Sequence, residues 1–542
     1  MKSIISKKNL SFFRAYLKIE KGLSSSDLAE SKIFSSQFEV LDKAEKGLLS
    51  VFKADPLKAS KKKLKSLKFS NSNVGSNLSQ KEAVEKALSL KDSVLCIQGP
   101  PGTGKTSVIV EIIEQELKKN SSQRILIVSQ SNLAVDNVLE RLPANLLKKS
   151  LRLGREERIS EDLRKISKDS RLPMLSLKDS LFRAFFRIPK TIISAPLFIF
   201  SRTYRMPKER RLKENQLFEK YIRIIGATCI GTDDPFLGYL FRKNKSAVDL
   251  VIIDEAGRST IMESLVPLQF AKRAILVGDH RQLPPLVSSD VRKQWDAQFP
   301  EIDCPGDTSI LEAAVGCLPQ SSANFLNRQF RMHPQIGNFI SEVFYSGQGL
   351  ENGVVSEQRS WPIEGLPAAV SYHSSAQYGE KAKEKFHPDL KSYYNASEVQ
   401  ITMDLLETID RVAASREKPS VGVITFYTAQ KKLLKTKVKE LDLENLDFSV
   451  NENIATLDSF QGREEDIIIL NLVRRPENAK NIDSKLYRFF LDIRRLNVAL
   501  SRARKRLFIV GDLERISAVQ SKTKEIPGMR VARDLYSFVQ QL

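Results

Sequence analysis

The stretch CIQGPPGTGKT, residues 96–106, decides the fold of this chain. An apolar run at 94–97 precedes the glycines and predicts a buried strand, while SVIVEII at 107–113 follows and predicts a helix. The spacing G-x-x-x-x-G-K-T between a strand and a helix is that of a phosphate-binding P-loop. Its glycines let backbone N–H groups turn inward around a polyphosphate without Cβ clashes. The stretch therefore predicts a site for a nucleoside triphosphate.

The loop and the first turn of the helix have separate predicted roles. Lys105 is expected to reach the β- and γ-phosphates, and the Thr106 hydroxyl is expected to ligate Mg²⁺. The helix N-terminus directs its partial positive charge toward the same anion. The predicted nucleotide-binding residues of this stretch are Gly99, Pro100, Pro101, Gly102, Thr103, Gly104, Lys105 and Thr106.

The net charge of the 542-residue chain is +21, and it is concentrated in two segments. Residues 1–75 hold 16 Lys and Arg against 7 Asp and Glu, and residues 151–220 hold 18 against 9. A single lysine run would be read as an ordinary solvated surface. Two such segments on either side of a P-loop favour a polyanionic partner instead, and nucleic acid is the expected one.

The cysteines and the apolar runs indicate the cellular compartment in which the protein is expected to work. The four cysteines are far apart and form no C-x-x-C pair, which argues against a zinc module or a disulfide framework and fits a reducing, intracellular setting, cytoplasmic or nuclear. No apolar run approaches the roughly 20 residues of a membrane helix, so no membrane partner is expected. Residues 1–18 are basic and free of acids, as in organellar transit peptides, but lysine outnumbers arginine and no cleavage signal is evident.

Strands and helices alternate from Ser93 onward, which predicts parallel sheets covered on both faces. Expected strands lie at 93–98, 124–129, 222–227, 249–253 and 273–277, and expected helices at 105–118 and 132–141. A helix is also expected from Leu78, with Ser79 as its N-cap. A second α/β unit begins near Ser321, with strands at 422–426, 454–456, 467–472 and 507–510. The expected organisation is a basic, mainly helical segment 1–75; a first domain 76–318 with a basic helical insertion at about 151–220; a second domain 319–515; and a helical tail 516–542.

Two acids end the apolar strand VIIDEAG at 251–257. A carboxylate at the carboxyl end of a strand near a P-loop can hold Mg²⁺, which is the role predicted for Asp254, and Glu255 then lies where it could polarise the attacking water. This pairing predicts hydrolysis rather than binding alone. The next strand ends in GDHRQL at 278–283, where Gln282 could sense the γ-phosphate or position water. Arg331 and Arg502 are candidates for stabilising transition-state charge.

These motifs form a longer ordered series. They are LSQ at 78–80, GPPGTGKT at 99–106, SNLAVD at 131–136, GATCIG at 226–231, DEA at 254–256, GDHRQLPP at 278–285, FRMHP at 330–334, DSFQGRE at 458–464 and the segment 494–504. Over residues 76–515 the series resembles the superfamily 1 helicases of the up-frameshift/senataxin type, subgroup B. The resemblance implies an α/β fold with two RecA-like parallel-sheet P-loop domains in tandem.

The resemblance also implies an activity: an ATP- and Mg²⁺-dependent helicase that couples hydrolysis at a two-domain cleft to 5′-to-3′ movement on single-stranded DNA or RNA. Gln80 would read the adenine, Phe330 would stack on it where the family usually has Tyr, and Glu464 would bind the ribose. Arg331 and Arg502 would contact the γ-phosphate. The residues implied to touch the strand are Ser131, Asn132 and Thr228 from the first domain and Thr425 and Ser459 from the second.

The sequence departs from the family in several places. Residues 1–75 are too short and too poor in β pattern for the small barrel that usually precedes the ATPase core, and no cysteine-rich or iron–sulfur module is present. Gly257 replaces the usual Ser or Thr, and Phe426 replaces the usual Pro. A nucleic-acid-dependent ATPase that acts as a clamp or protein-displacing remodeller, without processive unwinding, is the alternative. A regulatory GTPase is disfavoured because NKSA at 244–247 lacks the Asp of a guanine site.

Overall fold

The computed structural model describes residues 4–23, 28–46, 67–90, 93–172, 174–175, 208–244, 247–460, 462–476, 487, 489–519 and 527–542. They fall into two compact units. Unit 1 consists of Met1–Gln98, Lys105–His280 and Pro284–Phe325, and unit 2 consists of Gly99–Gly104, Arg281–Leu283 and Leu326–Leu542. The phosphate-binding loop therefore groups with the second half of the chain.

Unit 1 is built on a seven-stranded parallel sheet. In chain order its strands are β1 (Val94–Gln98), β2 (Ile125–Ser129), β3 (Ser150–Arg152), β4 (Ile224–Thr228), β5 (Leu250–Ile253), β6 (Arg273–Gly278) and β7 (Ala323–Phe325). They are arranged β3-β4-β2-β5-β6-β1-β7, and every pairing is parallel. The residues of β1, β2, β5 and β6 are all buried, as expected for strands covered on both faces. One strand, β6, separates the acid-bearing β5 from β1.

Helices cover this sheet and extend to the N-terminal segment. Those described in unit 1 are α1 (Lys7–Leu23), α2 (Leu28–Glu45), α3 (Ser72–Ser76), α4 (Leu78–Ser89), α5 (Lys105–Lys119), α6 (Asn132–Glu140), α7 (Ala144–Leu147), α8 (Lys208–Tyr221), α9 (Pro235–Asn244), α10 (Ile261–Leu268), α11 (Ser289–Gln298) and α12 (Ile310–Cys317). None of the helices described for the chain has the length and apolar character needed to cross a bilayer.

The five strands and two helices expected in this unit are all found, within a residue or two at each end. The expected helical insertion differs at its start, because Ser150–Arg152 is an edge strand paired with β4. The sequence SLR contains no apolar run, and an arginine such as the buried Arg152 is usually a surface residue. The stretch then continues with 3₁₀ turns at Glu156–Arg158 and Glu161–Ile166, whereas residues 176–207 lie outside the described part.

The cap of α4 was also assigned wrongly. Asn77, not Ser79, is the N-cap, because its side-chain oxygen accepts a hydrogen bond from the Gln80 backbone N–H at 3.2 Å. Asn and Ser are similarly favoured at N-caps, so composition alone does not choose between neighbouring candidates.

Unit 2 contains a five-stranded parallel sheet. Its strands are β10 (Val370–Ser374), β13 (Val421–Thr425), β14 (Ile454–Thr456), β15 (Glu465–Asn471) and β16 (Ala503–Gly511), in the order β10-β16-β15-β13-β14. Short parallel strands β8 (Arg328–Gln329) and β9 (Glu351–Asn352) pair with each other, and β11 (Lys385–His387) and β12 (Ser392–Tyr394) form an antiparallel pair. The four strands expected here are present, and β10 is an additional edge strand.

The described helices of unit 2 are α13 (Pro334–Phe344), α14 (Ala396–Ala413), α15 (Thr428–Val438), α16 (Val450–Asn453), α17 (Leu457–Phe460), α18 (Ile493–Leu500), α19 (Leu513–Ser517) and α20 (Pro527–Gln540). In both units the polar motifs follow the carboxyl ends of parallel strands. Because these ends meet at one edge of a sheet, residues far apart in the chain are brought together there.

Candidate nucleotide and nucleic-acid site

The phosphate-binding loop has the backbone that its glycines predict. Gly102 and Gly104 have φ values of +75° and +77°, a region that side-chain-bearing residues rarely adopt. The Thr103 hydroxyl donates to the Pro100 carbonyl at 2.8 Å, which closes the turn. Lys105 and Thr106 then begin α5, so that the first turn of the helix follows the loop directly.

The loop packs against the FRMHP motif within unit 2. The Phe330 backbone N–H donates to the Gly102 carbonyl at 2.9 Å. A Cβ atom added at Gly102 would lie 2.5 Å from the Cβ of Arg331, so glycine is required by close approach as well as by φ. The structure therefore brings one of the two predicted γ-phosphate arginines to the phosphate-binding loop.

Arg331 is held in an ion pair with Glu464, the predicted ribose-binding residue. Its guanidinium also donates to the Ser501 carbonyl at 3.2 Å. Burial favours a higher pKa for Glu464, but Arg331, followed by Arg504 and Arg502, brings the pKa below its ordinary value. Two residues with separate predicted roles are thus partners, and Glu464 remains ionised.

Arg502 is buried and held by several acceptors. Its guanidinium donates to the carbonyls of Val498 at 3.0 Å and Arg463 at 3.4 Å, and to the Gln282 side-chain oxygen at 3.3 Å. Gln282 and Arg502 are 220 positions apart, yet both belong to unit 2. The structure therefore joins the predicted γ-phosphate sensor to the second predicted arginine.

Asp254 and Glu255 follow β5 in unit 1. Asp254 is only 5% exposed, and burial, then the neighbouring Glu255, raises its pKa to about 7, whereas Lys105 opposes the rise. The Glu255 N–H donates to the Asp254 carboxylate at 2.9 Å. Glu255 itself has a φ of +52°, a strained conformation of the kind found at functional sites.

These residues fit a magnesium ion that arrives with a nucleotide. A buried carboxylate that resists ionisation is stabilised by a nearby cation, and Lys105 supplies part of that charge to Asp254. Mg²⁺ prefers oxygen ligands and is commonly held by one or two protein groups together with substrate phosphates. The Asp254 carboxylate and the Thr106 hydroxyl are such groups.

Gly257 explains one departure from the family pattern. A Cβ atom there would lie 2.6 Å from the carbonyl oxygen of Asp279, so any side chain would collide with the backbone that follows β6. The second departure, Phe426, is buried and packs edge-on against Phe490, with ring centroids 5.1 Å apart. Both substitutions are accommodated by local packing.

The two candidate base-contacting residues are described in separate units. Gln80 is buried in the first turn of α4 in unit 1. Phe330, in unit 2, lies against Gly353, where a Cβ would collide with its ring, and the Arg328 guanidinium is 5.9 Å from its centroid. Because Gly353 has no side chain, the Phe330 ring packs directly against its backbone, and this contact needs no tyrosine hydroxyl.

The first set of candidate strand-binding residues meets at the carboxyl edge of the unit 1 sheet. Ser129 of β2 pairs with Thr228 of β4. Ser131 caps α6 by accepting from the Ala134 N–H at 3.2 Å, and the Thr228 hydroxyl accepts from the Gly231 N–H at 3.1 Å. Ser131 is exposed, and Asn132 and Thr228 are half-buried.

A buried ion pair behind this edge was not found from sequence. Arg152, fully buried, pairs with Asp136 at 2.6 Å and donates to the Asn132 side-chain oxygen at 2.9 Å. Because Arg152 binds the side-chain oxygen of Asn132, the amide nitrogen of Asn132 is left to donate to an anionic ligand. The available signal was an acid on the apolar face of α6, where Asp136 stands beside buried Val135 and Val138.

Of the two candidate strand-binding residues in unit 2, one is exposed and the other is buried. Ser459 is exposed, and its hydroxyl lies 3.1 Å from that of Thr456 at the end of β14. Thr425, on the adjacent β13, is fully buried, and its hydroxyl accepts from the Tyr427 N–H at 3.4 Å. Thr425 therefore shapes this edge, while Ser459 is free to face a ligand from it.

Comparisons with known proteins agree with the motifs. Two family models, each described as an AAA domain, match residues 75–193 with 200–290 and residues 307–514. DNA polymerase alpha-associated DNA helicase A of Saccharomyces cerevisiae is 31% identical over 489 residues, covering 82% of this chain and 66% of that protein.

This chain covers a smaller share of two further relatives. ATP-dependent helicase NAM7 of the same yeast is 32% identical over 450 residues, covering 80% of this chain and 41% of that protein. The regulator of nonsense transcripts 1 homolog of Neurospora crassa is 30% identical over 454 residues, covering 80% and 37%. The chain thus spans less than two thirds of the length of each of these three relatives.

Proposed function

The chain belongs to the superfamily 1 helicases of the up-frameshift type, and from that premise we propose that it uses ATP to move 5′ to 3′ along single-stranded nucleic acid and to unwind duplexes. The observation that carries the proposal is the packing of the phosphate-binding loop against Phe330 and Arg331. A protein that only stored ATP would not need an arginine from a distant motif at the loop. Its action on nucleic acid would place it in the cytoplasm or the nucleus.

The nucleotide's phosphates would be held by the loop's backbone N–H groups, the N-terminus of α5 and Lys105. Mg²⁺, held by Thr106 and Asp254, would neutralise phosphate charge when bound. Glu255 would orient the attacking water and accept its proton, since it directly follows Asp254 at the end of β5. Arg331 and Arg502 would stabilise the charge that develops on the γ-phosphate, with Gln282 fixing the Arg502 guanidinium.

ATP binding would also exchange contacts inside unit 2. Arg331 and Glu464 pair with each other, and a γ-phosphate and a ribose would compete for the two side chains. Release of phosphate and then of ADP would let the pair re-form. This exchange gives the arginine two distinct states, which is what coupling of hydrolysis to strand movement requires.

The strand would be held through its backbone by Ser131, Asn132 and Thr228 and by Ser459. Contacts of hydroxyl and amide groups with phosphates carry little sequence information. We therefore expect binding that accepts most base sequences. The chain's net charge of +21 should make that binding weaken steeply with salt.

The test is ATP hydrolysis measured with single-stranded DNA and with single-stranded RNA, followed by unwinding of duplexes that carry a 5′ or a 3′ tail. Strand-stimulated hydrolysis with unwinding from the 5′ tail is the expected result. Displacement of a bound protein without unwinding would instead identify a clamp or remodeller. Hydrolysis that no strand stimulates would contradict both.

A further inference from the structure

Unit 2 carries a row of aromatic rings that the nucleotide chemistry does not use. Phe386, Tyr393, Tyr427 and Phe489 follow one another at centroid distances of 5.1, 5.9 and 6.2 Å. We call these four rings the aromatic row. Its middle is packed, but its two ends are open to solvent, since Phe386 is 51% exposed and Phe489 is 42% exposed. Within the described part of the chain these are the exposed phenylalanines.

The Phe489 end of the row lies at the edge where the strand is proposed to bind. Arg495 links the two, because its guanidinium stacks 3.9 Å from the Phe489 centroid and pairs with Asp458 at 2.9 Å. Asp458 directly precedes the exposed Ser459. On the other side, Tyr427 follows Thr425 at the end of β13 and donates its N–H to that hydroxyl. The row therefore begins at the carboxyl edge of the unit 2 sheet.

Arg474 packs against the middle of the aromatic row. The Arg474 guanidinium is buried 4.0 Å from the Tyr393 centroid and 4.4 Å from that of Tyr487, and it pairs with Glu384 at 2.8 Å. The preceding Val473, at a φ of +68°, donates its N–H to both oxygens of the buried Glu398 at 3.0 and 2.9 Å. These contacts fix the middle of the row, against which Phe386 and Phe489 pack, so less motion is lost when a planar ligand binds at either end.

The charges around the exposed ends suit an anionic partner. The β11–β12 hairpin that carries Phe386 exposes Lys385 and Lys391 against one exposed acid, Asp389. At the other end the Arg495 guanidinium lies over the Phe489 ring. Aromatic rings flanked by basic side chains are the combination that binds single-stranded nucleic acid, because every base offers a π-face for stacking.

We propose that the aromatic row is a base-stacking surface for a single strand held at the carboxyl edge of the unit 2 sheet. Phe489 stacks on a base next to the backbone contact at Ser459, and Phe386 stacks on a base farther along the row. Stacking needs only a π-face, so the surface adds affinity without adding sequence preference. This inference rests on the proposed function, since it names how that function's substrate is held.

The test compares strand affinity, without nucleotide, for an ordinary oligonucleotide and for an abasic one of equal length. Phe489→Ala and Phe386→Ala should each weaken binding of the ordinary oligonucleotide about 5- to 100-fold and change binding of the abasic one little, because stacking contributes about that much per base. Phe489→Trp should retain affinity, whereas Phe489→Leu, which keeps apolar bulk but has no π-face, should behave like Phe489→Ala. Val355→Ala removes an exposed apolar side chain that is outside the row and should leave affinity unchanged.

A second readout is specific for stacking. A strand containing 2-aminopurine should show fluorescence quenching with the parent protein and with Phe489→Trp, and less quenching with Phe489→Leu. Circular dichroism of each variant establishes that it is folded. If the Phe→Ala variants bind both oligonucleotides as the parent does, the inference is overturned and the row serves a protein partner. If the parent binds neither oligonucleotide, the proposed function itself fails.

Discussion

In the unit 1 sheet, the residue two positions past the end of β5 is Glu255, at a φ of +52°; in the unit 2 sheet, the residue two positions past the end of β15 is Val473, at +68°. Both strands are central in their sheets. Left-handed backbone is unusual for any residue with a side chain and is most strained for a β-branched one. The two sheets therefore share a strained turn at the same position.

The strain serves different ends. At Glu255 the backbone N–H donates to the buried Asp254 carboxylate, and the Glu255 side chain is the group proposed to orient the attacking water. At Val473 the backbone N–H is anchored to buried Glu398, and the chain is then led into Arg474 under the aromatic row. On the proposed function, the strained turn of the first sheet presents a reactive group and that of the second shapes a binding surface. Five predictions test that distinction.

Replacing Lys105 should have the largest effect. Lys105→Ala removes the cation expected on the β- and γ-phosphates, and ATP hydrolysis should fall by about 10³-fold or more, as when other charge-stabilising groups of phosphoryl transfer are lost. Single-strand binding without nucleotide should persist. Steady-state hydrolysis and strand affinity check both halves, and substantial turnover in this variant would rule out the assigned site.

Glu255→Gln tests the role of the side chain while leaving the strained backbone in place. The amide is nearly isosteric but cannot accept a proton, so hydrolysis should fall by about 10²- to 10⁴-fold while ATP affinity is retained. Single-turnover hydrolysis and equilibrium nucleotide binding give the two quantities. Loss of ATP affinity in parallel with rate would mean that Glu255 supports the fold of the loop rather than the chemistry.

Glu398→Ala tests the strained turn of unit 2. It removes the acceptor of the buried Val473 N–H, which costs about 1–3 kcal/mol, and truncation of the fully buried side chain leaves a cavity that adds to the loss. The free energy of unfolding should drop by about 2–5 kcal/mol, measured by chemical denaturation, with a smaller loss for Glu398→Gln. Loss of ATP hydrolysis with unchanged stability would contradict the structural role.

The same residue predicts a pH dependence. Burial raises the pKa of Glu398 well above 4.5 in the folded chain, so the folded state keeps a proton that the unfolded state releases. Stability from this group is therefore present below about pH 4.5 and is lost as pH rises through the folded pKa. Glu398→Gln should flatten that part of the stability profile, and an unchanged slope would contradict it.

Gly257→Ser should have the smallest effect. It restores the residue type usual in the family but places a Cβ 2.6 Å from the Asp279 carbonyl oxygen. Overpacking of this kind costs about 1–3 kcal/mol, which thermal unfolding would register. Gly257→Ala is the matched control, because an equal loss would identify the Cβ rather than the hydroxyl. A variant as stable as the parent would show that the turn after β5 adapts.

The sequence predicted the residues that obey short fixed spacings. Asp254, Lys105 and Gly102 could be assigned because each belongs to a local motif on a strand end or a helix start. What escaped prediction depends on distant partners: the Arg152–Asp136 ion pair, the Arg331–Glu464 ion pair, and a row whose ends, Phe386 and Phe489, are over a hundred positions apart. The edge strands β3, β7 and β10 were not predicted because their sequences, SLR, ANF and VSYHS, contain no continuous apolar run.

The central claim is that the phosphate-binding loop and the two arginines act on one nucleotide. Binding of ADP with aluminium fluoride, which mimics the transferring phosphoryl group, tests it directly when measured with a saturating single strand. The parent protein should trap this complex tightly, whereas Arg331→Ala and Arg502→Lys should bind ADP normally and lose about 10²-fold or more of the trapping affinity. Trapping by both variants as tight as by the parent would contradict the account.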